Sequence, residues 1–184
     1  AASVFGRVFW TAGVEAILDS VAEVEDALER LEKARFVQRL ASAELTGQVA
    51  WRFSHGLMQE VAYHGVMERT RRAWHARAAL WFDQEVSGEK STRWSLIASH
   101  YNRAGQWSRS AQAWIEAGKH AHRILANEDA RRYFEHGLAD NSRSPQSLVR
   151  ASLAEAEEAL GDLLVAAGEL RDADALYTQS IESV

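Results

Sequence analysis

The chain has 184 residues, 47% of them hydrophobic, and a formal charge of -5 with acids and bases interspersed. That length supports one or two small domains with real cores, the composition excludes global disorder, and the charge argues against a broadly nucleic-acid-binding surface. There is no cysteine, which excludes disulfide frameworks and thiolate metal sites; a reducing compartment fits, and the expected location is cytoplasmic. No apolar run is long enough to span a bilayer, so no membrane partner is expected. No signal-peptide pattern opens the chain, which starts Ala1-Ala2-Ser3 without methionine, and the expectation is a fragment of a longer protein.

Ala1 to Trp10 is apolar around Gly6-Arg7 and is expected to enter from a preceding domain. Gly13 to Val21 places Val14, Ile17, Leu18 and Val21 at helical spacing. Glu23 to Arg35 puts Val24, Ala27, Leu28, Leu31 and Ala34 on one helical face, with Glu23, Glu25 and Asp26 at the positive end of the helix dipole. Phe36 to Leu40 alternates like a strand, Ala41 to Gln48 carries turn residues, and Val49 to Phe53 alternates again. Helix, helix, hairpin is the order of a winged helix. Two more helices are expected: about 56–65 with Leu57, Val61 and Ala62 inward, and about 68–86 with Ala73, Trp74, Ala78, Leu80, Trp81 and Phe82 on its apolar face. Polar residues 87–91 mark the expected domain boundary.

Beyond it the pattern changes to repeats. Trp94, Ile97, Ala98, Tyr101, Gly105, Trp114 and Ala117 fall at tetratricopeptide (TPR) offsets. An overlapping match runs from Trp114 through Gly118, Ala130 and Phe134 to Gly137, and the cleanest runs from Leu160 and Gly161 to Ala173, Tyr177 and Ser180. The logic is steric: small residues at 98, 118, 130, 161 and 173 let helices approach, and large ones at 101, 114, 134 and 177 fill the gaps. Helices are expected at about 91–104, 107–125, 127–140, 147–167 and 170–183, with Asn141 to Gln146, around the only proline, as a break. The chain ends within a repeat unit, which again suggests a fragment.

Signatures of catalysis are missing from the sequence: no phosphate loop, no dinucleotide fingerprint and no HExxH zinc motif. His120 and His122 lie two apart on a helix and diverge, so no metal site is expected. The aromatic stripe of the repeats is explained by solenoid packing. The basic run Arg69, Arg71 and Arg72, with His75 and Arg77, could contact phosphates, but a solvated or interdomain face explains it more simply. The second helix, where a DNA reader would carry its recognition surface, is acidic at Glu23, Glu25, Asp26, Glu29 and Glu32, so DNA is not the expected partner. His55 is the sharp candidate. It sits where a strand hands over to a helix, and its imidazole could donate to a phosphate oxygen; on these residues alone a structural strand-end histidine is the simpler account.

Phe53 to Tyr63 resembles the F-x-H-x-L-x-x-E-x-A-Y signature of the large bacterial signalling ATPases of the STAND/AAA type. Ala2 to Phe9, Arg71-Arg72-Ala73-Trp74-His75 and Ser99 to Gly105 continue the likeness, which covers about 1–138. In that family an ATPase core is followed by a winged helix and tetratricopeptide-like helices. These proteins are often fused to class III nucleotide cyclases, protein kinases or transcriptional output domains. The resemblance implies that His55 stands in the place of the histidine of the M-H-D motif in the related NB-ARC switches, which reaches the β-phosphate of bound ADP and holds the closed state. The acid that follows it there is Gly56 here. It implies a phosphate loop and magnesium ligands upstream, ATP or ADP as the parent protein's nucleotide, and no ATP hydrolysis by this chain alone.

The expectation is therefore a mainly α chain. It has a winged helix with one small β-hairpin and following helices at 1–86. A TPR-like α-solenoid of antiparallel helix pairs follows at 87–184. The expected role is regulatory and not enzymatic: the winged helix senses the nucleotide state of an upstream ATPase domain, and the repeats bind a protein partner or hold an autoinhibited state. The rivals are a DNA-binding winged-helix transcriptional regulator with a TPR effector domain and a pure protein–protein interaction scaffold.

Overall fold

A computed structural model of the chain describes residues 1–18, 22–40, 49–84, 90–146, 148 and 150–182. The chain is mainly helical, with one small antiparallel sheet, and divides into two compact units, Ala1–Gly88 and Glu89–Val184. Among the described residues no helix is long and apolar enough to cross a membrane.

The first unit opens with a 3-10 turn, Ala2–Phe5, and then β1 (Val8–Trp10), α1 (Thr11–Leu18), α2 (Ala22–Lys33), β2 (Val37–Arg39), β3 (Ala50–Phe53), α3 (Gly56–His64) and α4 (Glu68–Gln84). The turn expected at Ala41 to Gln48 lies outside the described residues, as do positions 87–89 of the expected boundary and 85–86 of the helix expected before it. The expected two-stranded hairpin is part of a three-stranded sheet of order β1-β3-β2, with Phe9 opposite Trp51 and Val37 opposite Phe53. The opening segment supplies the extra strand. Gly6, at φ 100, lets the chain turn out of the 3-10 helix, and Phe53 N–H then bonds the Arg7 carbonyl at 2.9 Å. Val8-Phe9-Trp10 has no alternation to announce a strand, because Phe9 and Trp10 are both buried.

One core joins Phe9, Val14, Val24, Leu28, Val37, Trp51 and Phe53. An aromatic cluster of Phe5, Trp10, Trp81 and Phe82, with ring centroids 4.9–6.1 Å apart, lies beside it. Gly13 is essential to that cluster's geometry: a Cβ there would stand 2.7 Å from the Phe5 ring. The apolar face expected of α4 is only partly inward. Ala78, Trp81 and Phe82 are buried and Trp74 is half-buried, whereas Ala73 and Leu80 face solvent.

The second unit is α5 (Lys90–Ala104), α6 (Trp107–Arg123), α7 (Asn127–Arg143), α8 (Arg150–Ala166) and α9 (Leu170–Glu182). α5 starts inside the stretch expected as a boundary, and α7 runs three residues past its expected end, to Arg143 just before the proline. Successive helices pack on one another. A Cβ on Gly118 would lie 2.7 Å from the Phe134 ring, and one on Gly137 would lie 2.9 Å from Ile115. That order of contacts, rising on α6 as it falls on α7, makes the two helices antiparallel. Gly161 takes the Tyr177 ring in the same way, where a Cβ would lie 2.5 Å from Cε1. Ala98, Ala130 and Ala173 are buried as well. Charged ties cross the outside: Arg131 binds Glu169, and Lys119 binds Glu155 at 2.7 Å. Hydrogen bonds from those bases hold both carboxyls below their ordinary range.

α5, α6 and α8 end alike, with one left-handed residue whose N–H and that of the next residue cap the last carbonyls. Gly105 and Gly168 occupy this position in two of them, and Leu125, at φ 61 and 80% exposed, occupies it in α6. A Cβ in that conformation costs about 1 kcal/mol. Leu125→Gly is expected to raise the urea midpoint by about that much stability; an unchanged or lower midpoint would contradict the reading.

Candidate functional site

The site is built where β3 meets α3. His55 is the residue before α3, in extended conformation (φ -133, ψ 140), and its carbonyl accepts the Met58 N–H at 3.1 Å. Its side chain makes no capping bond and is exposed, so the imidazole is available to a neighbour. The start of α3 adds a partial positive charge that favours an anion. Ser54 Oγ, just before it, is buried without a hydrogen-bond partner among the described residues. A Cβ at Gly56 would meet nothing within 4 Å, so the glycine is not there for want of space.

α3 itself corrects one expectation. Leu57, Val61 and Ala62 are not inward: all three face solvent. The helix is held from its other side, where Met58 packs on the core, Gln59 Nε2 donates to the Ser3 carbonyl at 2.8 Å, and Tyr63 contacts the Ile17 cluster. Helical spacing shows that a face is apolar; it does not show that anything covers it. The uncovered face walls a groove of about 640 Å³, with His55 on its lining beside Phe36, Phe53, Leu57, Met58 and Val61.

The basic run does not form one patch. Arg71 stacks over the Tyr63 ring at 4.9 Å and donates to the Tyr63 carbonyl at 3.3 Å. Arg77 donates to the Ile17 carbonyl, and His75 is buried, its Nε2 3.0 Å from Tyr63 Oη. Arg72 pairs with Glu68 one turn back, and Arg69 is exposed. Arg71, His75 and Arg77 therefore fix α4 against α1 and α3, which leaves Arg69 and Arg72 on the surface. The acids of α2 singled out from the sequence, Glu23, Glu25, Asp26, Glu29 and Glu32, are all exposed. His120 and His122 are half-buried on α6, and no cluster of three metal-ligating side chains occurs among the described residues.

No family model and no solved structure matches the chain. A stretch of 160 residues, 85% of the chain, is 28% identical to the uncharacterized protein R02095 of Rhizobium meliloti (strain 1021). The chain spans about 15% of the length of that relative.

Proposed function

We propose that the chain is a regulatory part of a larger signalling ATPase. In this reading the first unit is a winged helix that senses the nucleotide state of an upstream ATPase core. The second is a set of degenerate TPR-like repeats that bind a protein partner or hold the autoinhibited state, in the cytoplasm. The parent protein, not this chain, binds and hydrolyses ATP. The observation that carries the reading is the exposure of His55 at the start of α3, next to an uncovered apolar surface. A phosphate sensor needs a free imidazole at a rim where another module can dock, and that is its setting. Two helices followed by paired strands support the winged helix, and the glycine–aromatic contacts between antiparallel helices support the repeats. The exposed acids of α2 weigh against the DNA-binding alternative.

Mechanistically, ADP would tilt a closed-to-open equilibrium by binding the closed arrangement better. One hydrogen bond to a charged phosphate contributes about 1.5–3 kcal/mol. His55→Ala in the full-length protein is therefore expected to weaken ADP retention by about ten- to a hundredfold and raise basal activity. Unchanged ADP affinity and unchanged basal activity would reject the sensor. The residues encoded ahead of Ala1 give an independent test, since a phosphate-loop sequence is expected there.

A further inference from the structure

The groove beside His55 continues along α2. Leu57 and Val61 on α3 are 69% and 65% exposed, and Phe36, at the foot of β2, is 47% exposed. With Leu31 and Met58 they line the apolar end. A second depression of about 740 Å³ shares Ala1, Ala2 and Leu31 with it and is edged by Glu23, Asp26 and Arg30. The two depressions adjoin at these residues and are taken together as a trough, apolar at the α3 end and acid-edged at the α2 end. Large exposed apolar side chains gathered in a concave surface with a polar rim mark an interaction site.

We propose that this trough docks an amphipathic helix of a protein partner, with bulky apolar residues on one face and lysine or arginine on the flank that meets α2. The inference does not depend on a nucleotide role for His55, and because His55 lines the same groove, docking of a helix here and docking of an ATPase core there exclude one another. Three observations select this occupant. First, the edge strand beside the trough is a poor template for an added strand: β2 is three residues long, and its Arg39 N–H is already taken by Glu32 Oε1 at 3.1 Å. Recognition through side chains is then favoured, and a helix delivers apolar anchors at i, i+3, i+4 and i+7 into such a groove. Second, the charged residues on the edge itself are Glu23 and Asp26 against Arg30, a small acidic excess that favours a cationic flank; Glu25, Glu29 and Glu32 line a separate depression with Lys33 and Arg39. Third, a second copy would bring the same acid edge against itself in a two-fold contact, and an anionic membrane or nucleic acid would be repelled.

The test uses the whole 184-residue chain. A fluorescent helical peptide of roughly 18 residues, about five turns, carries leucines on one face and lysines on both flanks. Anisotropy is expected to report saturable binding that weakens with salt. The Leu57→Glu/Val61→Glu variant should lose about tenfold or more in affinity, and Glu23→Lys/Asp26→Lys about fivefold. A peptide with glutamate in place of lysine should not bind. These side chains are exposed, so melting temperatures should hold, and they are measured alongside. Equal binding by folded variants, or equal binding of the glutamate peptide, would overturn the proposal. So would a dimer, seen by sedimentation, that Leu57→Glu dissociates, because the occupant would then be a second copy.

Discussion

Phe134→Ala is expected to cost the second unit about 3–5 kcal/mol, the range for emptying a fully buried aromatic site. Phe134 is 1% exposed and belongs to a core that includes Ile115, Ala130, Leu153, Leu160, Leu164 and Ala173 and draws on four helices. Its ring lies in the space that a side chain at 118 would occupy. The reverse change, Gly118→Ala, forces a methyl into that ring and is expected to cost about 1–3 kcal/mol, offset by up to about 1 kcal/mol of helix propensity. The two sites should therefore couple. Gly118→Ala combined with Phe134→Leu should be more stable than the sum of the single losses, because the smaller side chain makes room for the methyl. Urea unfolding of the four proteins measures this, and strict additivity would mean that the ring and the glycine do not share the space.

The two kinds of residue in that contact are legible in the sequence, though their pairing is not, and the reason is physical. A small residue opposite a large one at fixed spacing is a steric pattern written in residue size, and Gly118 with Phe134 and Gly161 with Tyr177 both follow it. α2 was legible in part for a related reason: Val24 and Leu28, one turn apart, are buried while the acids around them are not, but Leu31 and Ala34, expected on the same face, are exposed. β1 was not, because a strand buried on both faces has no alternation. The outward face of α3 was not, because periodicity is blind to whether a partner covers the stripe. The groove's other wall was hidden too, since Leu31 and Phe36 read as parts of a helix core and a strand. Least legible was the polar link inside the second unit. Asn102 Nδ2 donates to Asp140 at 2.9 Å and Ser110 Oγ donates to it at 2.6 Å, which ties α5 and α6 to α7. Asp140 and Ser110 are buried, yet their positions are 30 residues apart and neither carries a local signal of the pairing. His75 is similar: the basic residues around it suggest a surface, whereas it is buried with its Nε2 against Tyr63 Oη.

The other large effect concerns Arg150 and Glu157. Glu157 is buried on α8, and the Arg150 guanidinium reaches it with two bonds of 3.0 and 3.4 Å. The same guanidinium donates to the Ser180 carbonyl at 2.9 Å, fastening the start of α8 to the end of α9. Arg150→Met leaves a carboxylate in the interior with no counter-charge, and breaking a buried pair in this way costs about 3–5 kcal/mol. The Ser180 bond adds to that, while the partial exposure of Arg150 lets water reach the carboxylate and keeps the value near the lower end. Removing both partners has a different expected outcome. Arg150→Met with Glu157→Leu eliminates the desolvation of two charges and adds apolar contact with Leu153 and Leu160, neighbours on the same helix. That double variant is expected to come within about 1 kcal/mol of the unaltered chain or to exceed it. Denaturant midpoints of the single and double variants decide the matter. If the double variant is as unstable as Arg150→Met, the arginine works through the α9 carbonyl and not through the carboxylate. If Arg150→Met costs nothing, Glu157 finds water that its burial says it should not.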